Sequence, residues 1–464
     1  MKTFIMIFLF YVSTVGCQQA TQRPSLGHWD PFLDTLQQRT FSFFWKTTDS
    51  ATGLAPDRYP TRTFSSVAGA GFALSAYPIG VERGYVARAD ASRRVLTTVR
   101  FFWGLPQNNH PVRSAGYNGF FYHFLHLDSG LRFADVELST IDSALLLAGV
   151  LFCQSYFNGS SDDEQQIRAY ADSLYRRMDW RWVQKRAPLV SMGWRPEKGF
   201  IQADWRGYDE GMILYILALG SPTYPVEPDA WKAWTENYKW ATYYGQEFIS
   251  FGPLFGHQYS HCWIDFRGIQ DEYMRSKGID YYENSRRAAL TQPLYAKANP
   301  GKWRGYSSSV WGFTACDGPG DTSFVVDGFK RTFGGYAAHG VSFDWVNDDG
   351  TLSPTAPGGS IPFAPEICIP ALKTMRDRFG SKLWKEYGFV DAFNPTFVTT
   401  KTPDGWFDVD YLGIDQGPIV IMIENFRNGF VWDVMKKNPY IVRGLQRAGF
   451  SGGWLDSLQR KSEQ

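Results

Sequence analysis

Acidic residues gather where apolar stretches begin. Residues 133–142 read FADVELSTID and carry Asp135, Glu137 and Asp142. Residues 205–210 read WRGYDE and carry Asp209 and Glu210. The run WFDVDYLGIDQGP carries Asp408, Asp410 and Asp415, while Asp317 and Glu366 stand near two further apolar runs. Cleavage of a glycosidic bond uses two carboxyl groups, one protonated to release the leaving sugar oxygen and one ionised. Glu210 is the best candidate for the acid. GMILYILAL follows it and Tyr208 precedes it, so desolvation would raise its pKa and keep the proton at neutral pH. Asp415 and Asp142 suit the base or the positioning of water, because a helix start favours the ionised form. Each acid also has a purely structural reading. Asp142 follows Ser139 by three residues, close to a capping box. Asp415 would make a helix N-cap with Pro418 in the first turn, and Asp209 and Glu210 would fall in a first turn. Their repetition beside Trp, Tyr and Arg favours chemistry for the group.

Other chemistries find less support. His257 and His261 are four apart in GHQYSHCW, beside Cys262, but HExxH is absent and the Tyr and Gly favour a loop. They are expected to hydrogen-bond substrate or loop backbone. Residues 347–350 (NDDG) match only a fragment of a calcium loop and read as a turn. No metal and no cofactor is expected. With 47 basic and 46 acidic residues the formal charge is +1, and without a basic run the chain lacks the surface that nucleic acids require. The remaining cysteines, Cys153, Cys262, Cys316 and Cys368, read as buried small hydrophobes.

Aromatic residues are abundant, with 18 Trp, 25 Tyr and 36 Phe. Phe falls in helical runs and is expected in the core. Trp194, Trp205, Tyr208, Tyr259, Trp263, Trp345 and Trp406 fall in loops beside acids and are expected to line a sugar cleft. The candidate substrate-binding residues are therefore Asp135, Glu137, Trp205, Tyr208, His257, His261, Arg267 and Trp406.

Positioning these residues falls to helices of two kinds. Residues 65–77, 139–152, 208–219, 308–316, 363–372 and 415–425 are apolar or small on nearly every side, as in helices buried all round. Residues 85–103, 163–180, 229–251, 271–290, 381–387 and 431–443 are amphipathic, as in surface helices. Six of each in alternation predict an all-α fold, an (α/α)6 barrel with an inner ring and an outer ring. Minor strand content is expected near 324–333 and 395–401. No linker interrupts the chain, so residues 29–464 read as a single catalytic domain. Residues 1–16 read as a secretory signal. Cys17 after small residues resembles a lipobox cysteine, with Thr14 where Leu is usual, so plain signal cleavage is the alternative. Residues 17–28 would be a tether, and the protein would be periplasmic or on the cell surface, touching membrane only through a lipid on Cys17.

Taken together, FADVELSTIDSALLLAG, WRGYDEGMILYILALGSP, PLFGHQYSHCWIDFRG, DDGTLSPTAPGGSIPFAPE and LGIDQGPIVIMIENFRNGFVW resemble, in order, the bacterial glucoamylase-like family that includes secreted β-1,2-glucanases (glycoside hydrolase family 144). The resemblance implies an (α/α)6 barrel and metal-independent hydrolysis of β-1,2-glucan to sophorose or short sophorooligosaccharides, with inversion. It places Glu210 in the position of the acid and leaves Asp415 and Asp142 as candidates for the base. The alternatives are a hydrolase of another glucan linkage and a glycan-binding lipoprotein without catalysis.

Overall fold

A computed structural model describes residues 30–462. The signal segment, Cys17 and the tether lie outside the described residues. The helices are α1 (Pro31–Thr47), α2 (Val67–Glu82), α3 (Arg88–Gly104), α4 (Thr140–Tyr156), α5 (Asp162–Arg176), α6 (Met212–Gly220), α7 (Asp229–Thr235), α8 (Tyr259–Trp263), α9 (Glu272–Lys277), α10 (Tyr281–Ala298), α11 (Thr355–Gly359), α12 (Pro365–Phe379), α13 (Gly413–Asn428), α14 (Phe430–Met435), α15 (Pro439–Arg447) and α16 (Gly453–Ser462).

Small residues let the central helices approach closely. A Cβ built on Gly149 of α4 would lie 2.1 Å from the Gly71 carbonyl oxygen of α2, and one on Gly71 would lie 2.3 Å from that of Leu145. The two backbones therefore touch. Gly149→Ala is expected to cost about 1–3 kcal/mol by overpacking. Gly104→Ala, with open space around it, should instead stabilise by up to about 1 kcal/mol. Urea denaturation of the two variants checks this contrast.

From this pair the packing runs round a ring. α4 packs on α6, α6 on α8, the 3-10 turn Leu254–His257 on α11, α11 on α13, and α13 back on α2. Outside lie α1 against α13 and α2, α3 against α2, α5 against α4, α15 against α6, α10 against the 3-10 turn, and α12 against α11. Short strands pin the entries of the central helices. Ser65–Ser66 pairs with Phe124–Leu125 ahead of α2, Leu138–Ser139 with Gly193–Arg195 ahead of α4, and Tyr411–Leu412 with Arg58–Tyr59 ahead of α13. Serine caps add to this. Ser66 Oγ accepts from the Gly69 N–H (3.2 Å) and Ser139 Oγ from the Asp142 N–H (3.3 Å).

The expected pattern holds for residues 65–77, 139–152 and 415–425, for 208–219 from Met212 onward, and for the outer helices over 85–103, 163–180, 271–290 and 431–443, the last two each split into two helices; it fails in four other segments. Residues 308–316 form no helix. Gly312 lies flat against the 353 backbone, accepting from the Ser353 N–H at 2.9 Å, and the ring position is filled by 254–263. Residues 363–372 enter the outer α12, whose buried stripe is Cys368, Ala371, Leu372 and Met375; the fully buried segment is the preceding α11, TAPGG. Within 229–251 the helix ends at Thr235, and a hairpin, Trp240–Tyr243 with Gln246–Ile249, turns on Tyr244 and Gly245 at φ 45° and 78°, the left-handed pair of a two-residue turn. Residues 381–387 give one 3-10 turn and a hairpin. The strands near 324–333 are present, as Thr322–Val326 paired with Phe329–Phe333. Those near 395–401 are not, because Asn394 Oδ1 accepts from the Thr396 and Phe397 N–H groups and curls the chain into a turn. The four cysteines are free and buried, as expected.

Candidate active site

Three central helices bring their entries to one cleft. At α4, Asp142 is the third helical residue, and its carboxylate accepts from the Ser139 hydroxyl. His123 Nε2 lies 3.5 Å from Asp142 Oδ1, and Nδ1 lies 3.0 Å from Glu137 Oε1. Arg195, on the neighbouring strand, reaches the other Glu137 oxygen at 3.3 Å. Burial opposes the imidazolium, but Asp142, the hydrogen bond to Glu137, and Asp57 outweigh it and push His123 up to about 9. The His123 hydrogen bond, against burial, brings Glu137 down to about 2. The signs set a stability window. The contribution of His123 is full below its ordinary value of 6.5 and is lost as pH rises through about 9. That of Glu137 is full above 4.5 and is lost as pH falls through about 2. His123→Gln should therefore flatten the alkaline decline in the urea midpoint, measured from pH 6.5 upward.

At α6, Asp209 and Glu210 precede the helix instead of opening it, since the cap is Gly211. Asp209 Oδ1 accepts from the Gly211 N–H (2.8 Å) and from Trp234 Nε1 (3.2 Å). Burial pushes both carboxyls up, and Glu210 is raised further by the charges of Asp209 and Asp142. A proton at neutral pH is the state that a general acid requires.

At α13, Asp415 is the third helical residue and not the cap, which is Leu412. Burial drives its pKa up, with Asp317 and Asp57 adding to the rise while contact with Asp391 and the charge of Arg58 oppose it. Burial among like charges thus opposes the helix dipole at Asp415, so its carboxylate ionises less readily than a helix start alone implies. Its neighbourhood is a cluster of acids. Arg58 bonds Asp57 at 3.1 Å and Asp317 at 2.7 Å. Asp317, Asp391 and Asp408 bring one carboxylate oxygen each within 4.8 Å of one another, a spacing a cation could use. Asp391 Oδ1, Asp408 Oδ2 and Asp415 Oδ2 are buried without a protein hydrogen-bond partner. The Tyr259 ring, packed on Phe72 and Phe255, lies within the fields of both Asp415 and Glu210. Tyr336, 56% exposed, stands by Asp415 and Asp391.

The structure thus gathers Glu137, Asp142, Glu210 and Asp415, with Asp135 exposed in the turn just before Glu137. Trp406 is half-buried on a strand paired with Phe393–Asn394, two residues before Asp408. Other expected residues fall outside the cleft. His257 and His261 are sealed in the core, bonded to the Phe251 carbonyl (3.3 Å) and the Ser285 hydroxyl (3.1 Å), and burial lowers each to about 3. His257 thus takes the loop-backbone bond that was one of the two expected alternatives, and neither ring is exposed. Arg267 chelates Asp265 and lies over Trp432 at 4.3 Å. It sits beside Gly429 at the far end of α13, roughly 21 Å of helix from Asp415. Trp205 is 6% exposed and bonds Thr140 through Nε1, so it braces α4 instead of offering a face.

The division of aromatics needs the same correction. Trp180, Trp234, Trp263, Trp311 and Trp432 are fully buried, while half-buried Phe64, Phe124 and Phe133 stack together at the cleft beside His123. Asn347 ends a short strand paired with Gly340, and the turn expected over 347–350 is confined to 348–350, with Asp348 accepting from the Tyr295 and Tyr306 hydroxyls and the Gly350 N–H. His123, Asp57, Arg58, Asp391 and Tyr336 carry no motif that sequence reasoning could have found. Arg58 sits on a strand of two residues and the others in loops, all outside any periodic run.

Comparison with known proteins agrees with this arrangement. Residues 202–439 match the glycoamylase family, described as "Putative glucoamylase". A Bacteroides uniformis protein of that description is 31% identical over 91% of this chain and 97% of its own, with a TM-score of 0.79. An endo-β-1,2-glucanase from Chitinophaga pinensis, solved with sophorotriose and glucose, is 27% identical over 91% of this chain and 98% of its own, with a TM-score of 0.78. An exo β-1,2-glucooligosaccharide sophorohydrolase from Parabacteroides distasonis is 28% identical over 90% of this chain, which spans 58% of that protein's length. With its carboxylates set at the entries of the central helices, the chain belongs to the glycoamylase family.

Proposed function

We propose that the chain is a glycoside hydrolase that cleaves β-1,2-glucan to sophorose or short sophorooligosaccharides. The carrying observation is Glu210, a carboxyl whose pKa is raised by burial and by Asp209 and Asp142, near Tyr259, which also feels the charge of Asp415. The names of the Chitinophaga and Parabacteroides relatives support the linkage. In this reading Glu210 donates its proton to the leaving oxygen, and a carboxylate on another entry activates water for an inverting attack. Asp415 is favoured over Asp142 as that base, because one Asp415 oxygen lacks a protein partner, whereas Asp142 is engaged by Ser139 and His123.

The order of packing described above supports a closed (α/α)6 barrel with 254–263 and α11 as its fourth and fifth inner segments. We further infer one catalytic domain from residue 29 onward, exported by residues 1–16 and held at a membrane surface through Cys17. Incubation with linear β-1,2-glucan tests the activity and should release sophorose or short oligomers. Cleavage confined to another linkage in a panel of glucans would move the assignment to that glucan. Binding without any new reducing ends would remove the enzymatic reading.

A further inference from the structure

A cavity of 370 Å³ lies beside the turn that carries Glu210. Tyr208, in its wall, belongs to the turn that carries Glu210. Phe255, also in its wall, packs at 5.3 Å on Tyr259, which feels the charges of both Glu210 and Asp415. The outer wall is Trp345, 42% exposed. This indole is held in place. Its backbone carbonyl accepts from the Ser342 N–H (2.9 Å) and hydroxyl (3.1 Å), and its ring lies so close to Gly252 that a Cβ there would be 2.4 Å away. Beside the ring are donors and an acceptor of both charges. Lys239 bonds Asp344 at 2.6 Å, Ser250 donates to the same carboxylate at 2.6 Å, and Arg206 lines the entrance. A flat apolar face next to mixed donors and acceptors fits a neutral polyhydroxylated ligand, which presents C–H faces and hydroxyls that both give and accept hydrogen bonds.

We propose that this cavity is an accessory subsite that holds glucose residues of the glucan chain beyond those flanking the cut bond, with Trp345 as its platform. The inference rests on the reading of the protein as a glucan hydrolase, and it makes chain length the variable that the cavity senses.

The test is kinetics of wild type, Trp345→Ala and Trp345→Phe on β-1,2-glucooligosaccharides of increasing length, with calorimetric binding of long linear β-1,2-glucan run in parallel. For Trp345→Ala the expected loss in kcat/KM is about tenfold on long glucan, carried by KM, and about fivefold smaller on the shortest oligosaccharide cut. Trp345→Phe, which keeps a flat ring, should recover most of the loss. A loss equal at every chain length, a loss carried by kcat, or no loss at all overturns the proposal. Failure of the hydrolase reading would show separately, as wild type releasing no product at any length. In that case calorimetry decides: weaker glucan binding by Trp345→Ala supports the subsite, and unchanged or absent binding overturns it.

Discussion

Glu210→Gln should lower kcat on β-1,2-glucan by about a thousandfold, or about 4 kcal/mol of transition-state stabilisation, while leaving the folded protein at least as stable. The two halves of this expectation come from one fact. Glu210 is held above its ordinary pKa by burial first, and by Asp209 and Asp142 next. A carboxyl raised in the folded state makes stability fall as pH climbs from the unfolded value of 4.5 towards the folded one. Glutamine resembles the protonated form and carries no such cost, so the urea midpoint at neutral pH should hold or rise. A merely structural Glu210 predicts the reverse, with lost stability and retained turnover. An aryl glycoside whose leaving group needs no proton should recover much of the rate, because only the donated proton has been removed.

Asp415→Asn should also cost about a thousandfold, and no leaving group should restore it, since the missing step is the activation of water. Asp142→Asn should cost less. Both Asp142 oxygens already face protein partners, Ser139 and His123, so its loss should act through the placement of His123 and Glu137. Rates for both variants on glucan and on the aryl substrate separate the roles. A larger loss in Asp142→Asn than in Asp415→Asn would exchange the two assignments. The raised pKa of Asp415 also predicts that its activity limb lies on the acid side, with turnover falling as pH drops and the carboxylate takes up a proton. On the alkaline side turnover should fall as Glu210 loses its proton.

How far the sequence revealed this arrangement depends on where each residue's signal resides. Helices α2, α4 and α13 were legible because long apolar runs behind serine or strand signals admit few alternatives. TAPGG was not. Five residues with a proline and two glycines carry no helical period, and α11 exists because Gly358 fits against Ile419 and Gly359 against Gln258. The same holds within the site. Glu210, Asp142 and Asp415 stand at the starts of apolar runs and could be picked out. Asp391 and Asp57 reach the cleft through loops, and only three-dimensional proximity marks them. His257 and His261 misled because a short sequence motif does not distinguish a histidine facing solvent from one sealed under aromatic rings.

The strand of two residues that joins Arg58 to Leu412 and Tyr59 to Tyr411 has a consequence for biogenesis. It ties the entry of the last central helix to a loop near the start of the chain, and Asp415 lies just beyond it. During synthesis the first part of the chain must wait for nearly all the rest before this link can form. Until then the apolar face of α2 lacks α13, and Asp415 is absent from the cleft. Hydrolytic competence would therefore arrive as the last event of folding, and any export before ring closure would carry the chain in an inactive form.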